Sequence, residues 1–207
     1  MDYNLSTKYL MTIYLMKTTL IISTYNSPKF LNLVVRSIKK QTVAPDEVIF
    51  ADDGSLVETK KVIEEFETSS RFKVLHAWQE DLGFRAARSR NNAIILSSGD
   101  YIILIDGDIV LHPNFIEDHI KNAKLGHFVQ GSRVLLNTKI TNKAIEKTCI
   151  DFPFFSSKLS NKKNSIHSNF LSLIFSNKSK NLKGIKTCNM AFYRKDCISI
   201  NGFNNDF

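Results

Sequence analysis

The sequence at positions 101–108 reads Tyr-Ile-Ile-Leu-Ile-Asp-Gly-Asp. Its apolar run predicts a strand that is buried on both faces, as in a mostly parallel sheet. The strand would end by presenting Asp106 and Asp108 at the carboxyl edge of the sheet, where open α/β folds bind ligands. Because side chains alternate along an extended chain, both carboxylates are expected on the same side. The stretch therefore predicts an α/β fold with a polar site at one sheet edge.

The two carboxylates at this edge have two interpretations. Close carboxylates resist ionising together unless a positive charge joins them, which favours a divalent cation. A loop with two solvated acids is the other interpretation. Taken alone, Asp106 and Asp108 do not decide between metal and loop.

Strands and helices alternate along the rest of the chain. Apolar runs predict further strands at residues 18–23, 47–51, 72–77, 129–136 and 188–193. Apolar spacing predicts helices at residues 27–41, 56–67, 83–97 and from Pro113 onward, the first with Ser27 as N-cap and Pro28 in its first turn. This alternation indicates an α/β layered fold with right-handed crossovers. Residues 137–186, rich in Ser, Asn and Lys, break the pattern and are expected to form a loop insertion.

The composition limits the class of protein. A chain of 207 residues, 43% hydrophobic and 23% charged, is typical of one globular domain of ordinary size. Its three cysteines show no C-x-x-C spacing, which favours free thiols in a reducing compartment over disulfides or a zinc site. No apolar run reaches the roughly 18 residues that span a bilayer. We therefore expect a cytoplasmic protein.

The net charge of +8 is concentrated in one segment. Residues 152–195 hold nine Lys and Arg and no acid, so the basicity does not belong to the whole chain. A solvated loop is one interpretation of residues 156–186. The other is a patch for anionic lipid at the inner face of the cytoplasmic membrane, because lysines flank the apolar residues 170–175. Nucleic acid is not expected as a partner, because no nucleic-acid-binding motif accompanies the charge.

Polar clusters follow three other predicted elements. Residues 23–26 (Ser-Thr-Tyr-Asn) follow the first strand, and residues 52–55 (Asp-Asp-Gly-Ser) follow the second. An aromatic ring can stack on a flat base, and carboxylates can accept hydrogen bonds from a base or from ribose hydroxyls. Residues 81–91 add a basic face at the start of a helix, which suits a diphosphate. Each cluster alone also fits a plain turn or a solvated surface.

Together these segments are more specific than any one of them. Residues 21–26, 52–55, 78–91 and 105–108 closely resemble the family 2 glycosyltransferases. Residues 131–133 (Gly-Ser-Arg) and 184–194, which contain Asn-Met-Ala-Phe, resemble the galactosyltransferase-like branch that makes bacterial surface polysaccharide and lipooligosaccharide. The resemblance covers about residues 18–207.

The resemblance implies a GT-A fold and an inverting transfer from a nucleotide-diphosphate sugar, usually a UDP-sugar, to a saccharide or lipid-linked glycan acceptor. Carried over by motif, the nucleotide-sugar site comprises Thr24, Tyr25, Asn26, Asp52, Asp53, Asp81, Arg85, Asn91 and Asp106. Of these, Asp81, Arg85 and Asn91 would face the diphosphate and ribose. Asp106 and Asp108 match the Asp-x-Asp of the family, which holds Mn²⁺ or Mg²⁺.

The resemblance also predicts how the chain divides. Residues 1–16 are expected to be an N-terminal extension, residues 17–136 the donor-binding core, and residues 137–207 an incomplete acceptor-side region with the basic insertion. The general base of the family follows a stretch like residues 201–207, so it is expected beyond Phe207. The alternative is a catalytically inactive fragment that binds nucleotide sugars. A dinucleotide-dependent dehydrogenase or a nucleotidyltransferase is disfavoured, because no G-x-G-x-x-G follows the first strand.

Overall fold

The computed structural model describes residues 16–152, 159–160 and 184–206. The expected extension at residues 1–15 and most of the basic segment, including residues 170–175, lie outside these residues. Met16, placed in the extension by sequence, is buried in the core. Within the described ranges, no helix is both long and apolar enough to cross a membrane.

Strands form the centre of the molecule. They are β1 (Thr18–Thr24), β2 (Glu47–Asp52), β3 (Lys73–Trp78), β4 (Tyr101–Asp106), β5 (Phe128–Gln130), β6 (Leu135–Leu136), β7 (Leu159–Ser160) and β8 (Asn189–Tyr193). Six of them form one sheet in the order β3-β2-β1-β4-β8-β5, and β6 pairs with β7. The strands β1 to β4 are parallel, while β8 runs antiparallel to β4 and β5. The predicted mostly parallel α/β sheet is confirmed.

Helices cover both faces of this sheet. They are α1 (Pro28–Lys39), α2 (Val57–Thr68), α3 (Ala86–Leu96), α4 (Phe115–Lys121), α5 (Thr138–Lys147) and α6 (Arg194–Ser199). The apolar sides of α1, α2 and α4 pack on the face that carries Ile22 and Phe50. The opposite face, which carries Ile21 and Ile49, packs against α3 and α6. Strand residues therefore alternate between two separate cores.

The structure places Ser27 and Pro28 at the predicted positions of α1, but it corrects the capping contact of Ser27 and the start of the third helix. Ser27 holds the N-cap position, but its side chain caps no helix amide and instead donates to the carbonyl of Tyr25. The third helix begins at Ala86 and not at Gly83. Residues before it form a loop, because Gly83 has a φ of +87° and its amide donates to the Asp81 carboxylate. A positive φ does not continue a right-handed helix.

Two further predictions fail after the fourth strand. The expected strand at residues 129–136 is two short strands with different partners, because β5 pairs with β8 and β6 pairs with β7. The expected loop insertion at 137–186 contains helix α5. The Asn137 side chain caps this helix by accepting from the amide of Ile140, 3.0 Å away.

Candidate functional site

Five polar side chains lie where the parallel strands β1, β2 and β4 end. The strand register pairs Thr24 with Asp52 and Ser23 with Asp106. Asp53 directly follows β2, and Asp108 lies two residues beyond the end of β4, so they belong to the same edge. We define the rim as Thr24, Asp52, Asp53, Asp106 and Asp108. The sequence pattern predicted this gathering correctly.

The rim divides between the two faces of the sheet. Asp52 and Thr24 have the parity of Phe50 and Ile22, so they lie on the side of α1 and α2. Asp106 and Ser23 have the parity of Leu104 and Ile21, so they lie on the side of α3. The strand ends thus build two neighbouring subsites.

On the α3 side, Asp106 lies beside a guanidinium group. The Arg90 Nη2 atom is 3.5 Å from Asp106 Oδ1, and Arg90 Nε donates to Ser23 Oγ at 3.0 Å. Burial raises the pKa of Asp106 above its ordinary value. The charge of Asp108 adds to this rise, while the positive charges of Arg90 and Arg133 oppose it. The carboxylate of Asp106 is therefore held in a setting that favours an added positive charge.

Asp106 and Asp108 fit a metal that is shared with a ligand. Within residues 16–152, 159–160 and 184–206, no group of three or more His, Cys, Asp and Glu side chains could hold a metal ion. Mg²⁺ in phosphate sites, however, is bound through one or two carboxylates together with substrate phosphates. Carboxylate oxygens also suit Mn²⁺. Asp106 is 37% exposed and Asp108 is exposed, so both can reach such an ion.

On the other side, Asp52 is fully enclosed. Its Oδ1 accepts from the Ser55 amide at 2.8 Å, and its Oδ2 lies 2.7 Å from His76 Nε2. Its exposed fraction is 0%, so its carboxylate holds the turn at residues 52–55 and does not reach solvent. The predicted role of Asp52 at the nucleotide would therefore be indirect: Asp52 would position the turn, and the turn would contact the nucleotide.

Asp53 is also satisfied within the protein. Its Oδ1 accepts from Gln79 Nε2 at 2.6 Å, and its Oδ2 accepts from the Arg85 amide at 2.8 Å. Gln79 is in turn bound by Asn92 Nδ2, 3.1 Å away. Asp53 therefore ties the end of β2 to the start of α3.

Tyr25, Asn26 and Asp81 lie beside the rim. The half-exposed Tyr25 donates its hydroxyl proton to Asp81 Oδ2 at 2.8 Å, and this hydrogen bond raises the pKa of Tyr25. The Asn26 amide donates to Ser55 Oγ, and Asn26 Oδ1 accepts from the Leu56 amide. The structure thus brings these three predicted residues to the same end of the sheet.

Arg85 and Asn91 differ in their placement. The Arg85 guanidinium donates to the carbonyl of Glu80, next to the loop that holds Asp53, while its buried Nε has no partner among the described residues. Asn91 turns elsewhere. Its side chain bonds the amide and carbonyl of Phe203 and the side chain of Asn205, at 2.7–2.9 Å. The structure therefore does not bring the Asn91 side chain to the rim.

Sequence reasoning missed several residues of this site. His76 and Gln79 belonged to none of the predicted polar clusters, whereas Ser23 and Arg90 lay in the clusters at residues 23–26 and 81–91 without an assigned role. His76 lies two residues before the end of β3, on the same face as Asp52, which strand parity signals once the β2–β3 register is known. The contacts of Arg90 with Ser23 and Asp106 were not predicted. Its role depends on which face α3 covers.

The chain was also compared with models of known protein families. The family model for "Glycosyl transferase family 2" matches residues 19–198. The chain belongs to this family. The resemblance predicted from residues 21–26, 52–55, 78–91 and 105–108 is confirmed.

Curated relatives of this family 2 chain match it over about half its length. GlyG, a glycosyltransferase of Streptococcus pneumoniae, is 35% identical over 100 residues, which cover 48% of this chain and 32% of GlyG. Validoxylamine A glucosyltransferase of Streptomyces hygroscopicus is 32% identical over 101 residues, covering 48% of this chain and 22% of that enzyme. Hyaluronan synthase of Pasteurella multocida is 30% identical over 103 residues, covering 49% and 10%. The family 2 chain therefore spans a third or less of these relatives.

Two solved structures share the fold of the family 2 chain. A mannosyltransferase of Pyrobaculum calidifontis, in complex with GDP-Man and Mn²⁺, has a TM-score of 0.59 at 16% identity and covers 97% of this chain and 53% of its own. Glucosyl-3-phosphoglycerate synthase of Mycobacterium tuberculosis, in complex with UDP, has a TM-score of 0.53 at 15% identity and covers 94% and 62%. The predicted GT-A fold is confirmed.

Proposed function

We propose that this chain binds a nucleotide-diphosphate sugar, most simply a UDP-sugar, as the donor for inverting transfer to a growing surface glycan. The observation that carries the proposal is the position of Asp106 at the rim, beside Asp108 and 3.5 Å from Arg90. Family membership and glycosyltransferases among the relatives support it. The two structural neighbours were solved with GDP-Man and with UDP, so the choice of base requires a direct test.

The nucleoside half of the donor would lie across the ends of β1 and β2. The half-exposed ring of Tyr25 can stack on a base. Thr24 Oγ1 is buried at this edge and makes no hydrogen bond within the described residues. Asp52, Asp53 and Asn26 hold the turn at residues 52–55 under the base. These residues would orient the nucleoside and would take no part in forming or breaking the glycosidic bond.

The diphosphate half would lie over the end of β4. Asp106 and Asp108 are the residues that would hold Mn²⁺ or Mg²⁺, and a bound ion would neutralise charge on the leaving diphosphate as a Lewis acid. Arg90 keeps the Asp106 carboxylate in place through its bonds to Asp106 and Ser23. Arg85 and Asp81 are proposed to face the ribose and diphosphate from the loop before α3.

Inverting transfer also needs a group that deprotonates the acceptor hydroxyl. We propose that this base belongs to the acceptor side of the site, as the resemblance implies. A saccharide or lipid-linked glycan acceptor, and contact of residues 156–186 with an anionic membrane, are further proposals on the same basis. Binding of the donor and transfer of its sugar are therefore separate predictions for this chain.

Calorimetric titration tests donor binding. The chain is titrated with UDP, GDP and a panel of their sugars, each with and without Mn²⁺. We expect UDP-sugars to bind at least about tenfold more tightly with Mn²⁺, because the ion joins two carboxylates to the diphosphate. Release of UDP in the presence of a glycan acceptor then measures transfer. Absence of nucleotide binding under every condition would contradict the proposed function.

A further inference from the structure

Two motifs of the sequence have no part in the proposed donor site, namely residues 131–133 and 189–192. The structure brings them together. The Gly131 amide donates to the carbonyl of Asn189 at 3.0 Å, and Asn189 Nδ2 donates to the carbonyl of Ser132 at 3.1 Å. A Cβ atom at position 131 would collide with the Asn189 amide group, so a larger residue there must displace this side chain. Asn189 thus fixes the loop at residues 131–133 by two hydrogen bonds.

Asn189 is itself held from the opposite side by His119. The His119 Nε2 atom lies 2.9 Å from Asn189 Oδ1, and both side chains are buried. Burial lowers the pKa of His119 to about 4, so its ring is neutral and Nε2–H donates to Asn189. This fixes the oxygen of the Asn189 amide towards His119 and its nitrogen towards Ser132. The loop therefore has one defined position.

That position carries Arg133 towards the rim. Arg133 Nη1 donates to Cys188 Sγ at 2.9 Å. The register of β8 on β4 pairs Asn189 with Ile105, so the preceding residue, Cys188, lies beside Asp106. By strand parity Cys188 and Asp106 share the α3 face of the sheet. The guanidinium of Arg133 therefore approaches the same subsite as Arg90, from the side of β8.

We propose that Arg133 binds the diphosphate of the donor, and that Asn189 and His119 are positioning residues that hold its loop at the rim. This inference rests on the proposed donor site. A guanidinium group presents parallel N–H donors that match two phosphate oxygens. A thiol is a weak acceptor, so a phosphate oxygen competes well with Cys188 Sγ as the acceptor for Arg133 Nη1. The motifs at residues 131–133 and 189–192 would thereby both contribute to binding the diphosphate.

The test compares ligands that differ only in phosphate. Trp78, the single tryptophan of the chain, donates to the carbonyl of Ser55 and reports binding by its fluorescence. We expect Arg133→Gln to weaken UDP about tenfold to a hundredfold and to leave uridine within about twofold, because only UDP offers the phosphate. Arg133→Lys keeps the charge and should lie between. Arg71→Gln, exposed at the opposite edge of the sheet, is the matched control.

The positioning residues are tested in the same titrations. Asn189→Ala should weaken UDP and spare uridine, with a thermal melt showing that the protein is folded. If that variant does not fold, Gly131→Ala displaces the same loop and replaces it in the comparison. Equal losses for UDP and uridine would indicate a merely structural role and overturn the inference. An Arg133→Gln variant that binds UDP like the wild type would also overturn it, whereas a wild type that binds no UDP refutes the proposed function itself.

Discussion

The surroundings of Asp106 disfavour the ionised form of its carboxyl group. Burial raises its pKa, so the folded chain binds more protons than the unfolded chain between the ordinary and the raised value. Stability contributed by this group is therefore present below the ordinary pKa of about 4 and is lost as the pH rises through the raised pKa. A carboxyl group that lowers the stability of the fold when it ionises is typical of a functional site.

The first prediction follows from this direction of the pH dependence of stability. Asp106→Asn removes the ionisable group, so we expect a higher melting temperature than wild type at about pH 7 and a difference that shrinks towards about pH 4. Thermal melts across this range check it, with the exposed Asp206→Asn as control. A variant that is equally destabilised at every pH would show that Asp106 mainly supports the fold.

His76 gives the opposite case, a residue that supports a buried charge. Its Nε2 lies 2.7 Å from Asp52 Oδ2, and Asp52 is fully buried. We expect His76→Leu to lower the free energy of unfolding by about 2–3 kcal/mol, because a buried carboxylate loses its partner. His76→Gln retains a donor and should cost less. Urea unfolding measures both, and equal losses for the two variants would contradict this role.

At the scale of elements, the turn after β2 is built against the loop before α3. Gly54 has a φ of +99°, and a Cβ there would lie 2.6 Å from Asp81 Cα. Gly83 has a φ of +87° but open space around it. We expect Gly83→Ala to cost about 1–2 kcal/mol from backbone strain alone. Gly54→Ala should cost more and also weaken nucleotide binding, because the Asp81 loop must move.

Unfolding curves and UDP titrations of this glycine pair separate strain from displacement. Equal effects of the two substitutions on both measurements would mean that the close approach of Gly54 to Asp81 is unimportant.

The neighbours Asn91 and Asn92 link α3 to different elements. Asn91 holds the turn at residues 201–205, whereas Asn92 bonds Gln79, which in turn bonds Asp53. Asn91→Ala should therefore speed limited proteolysis near residues 201–205 and leave UDP affinity within about twofold. Asn92→Ala should weaken UDP and leave the turn protected. A large loss of UDP affinity in Asn91→Ala would instead support the diphosphate contact that the resemblance implies.

At the scale of the whole molecule, the sheet and its rim could be predicted because they depend on local patterns. Apolar runs that end in polar residues mark β1, β2 and β4, and parallel strands bring such ends together. Helix α5 was missed because its apolar residues are few within a segment rich in polar ones. The contacts of His76 and Arg90 needed the strand register and the face that each helix covers, which no local pattern contains.

The division of the rim into two faces was likewise beyond local reasoning. Period two predicts that Asp106 and Asp108 share a side, but the relation of Asp106 to Asp52 depends on how β1 aligns with both neighbours. Long-range pairing of this kind joins residues that are far apart in sequence. The proposed assignment of the nucleoside to one subsite and of the diphosphate to the other depends on this pairing.

The most direct test is calorimetric titration of UDP with and without Mn²⁺ into wild type, Asp106→Asn and Asp108→Asn. We predict that Mn²⁺ tightens UDP binding at least about tenfold in the wild type and has little effect in either variant, because each has lost a carboxylate that would hold the ion. Uridine should bind all three proteins alike. Variants that keep the full Mn²⁺-dependent gain in UDP affinity would contradict a metal-assisted donor site at Asp106 and Asp108.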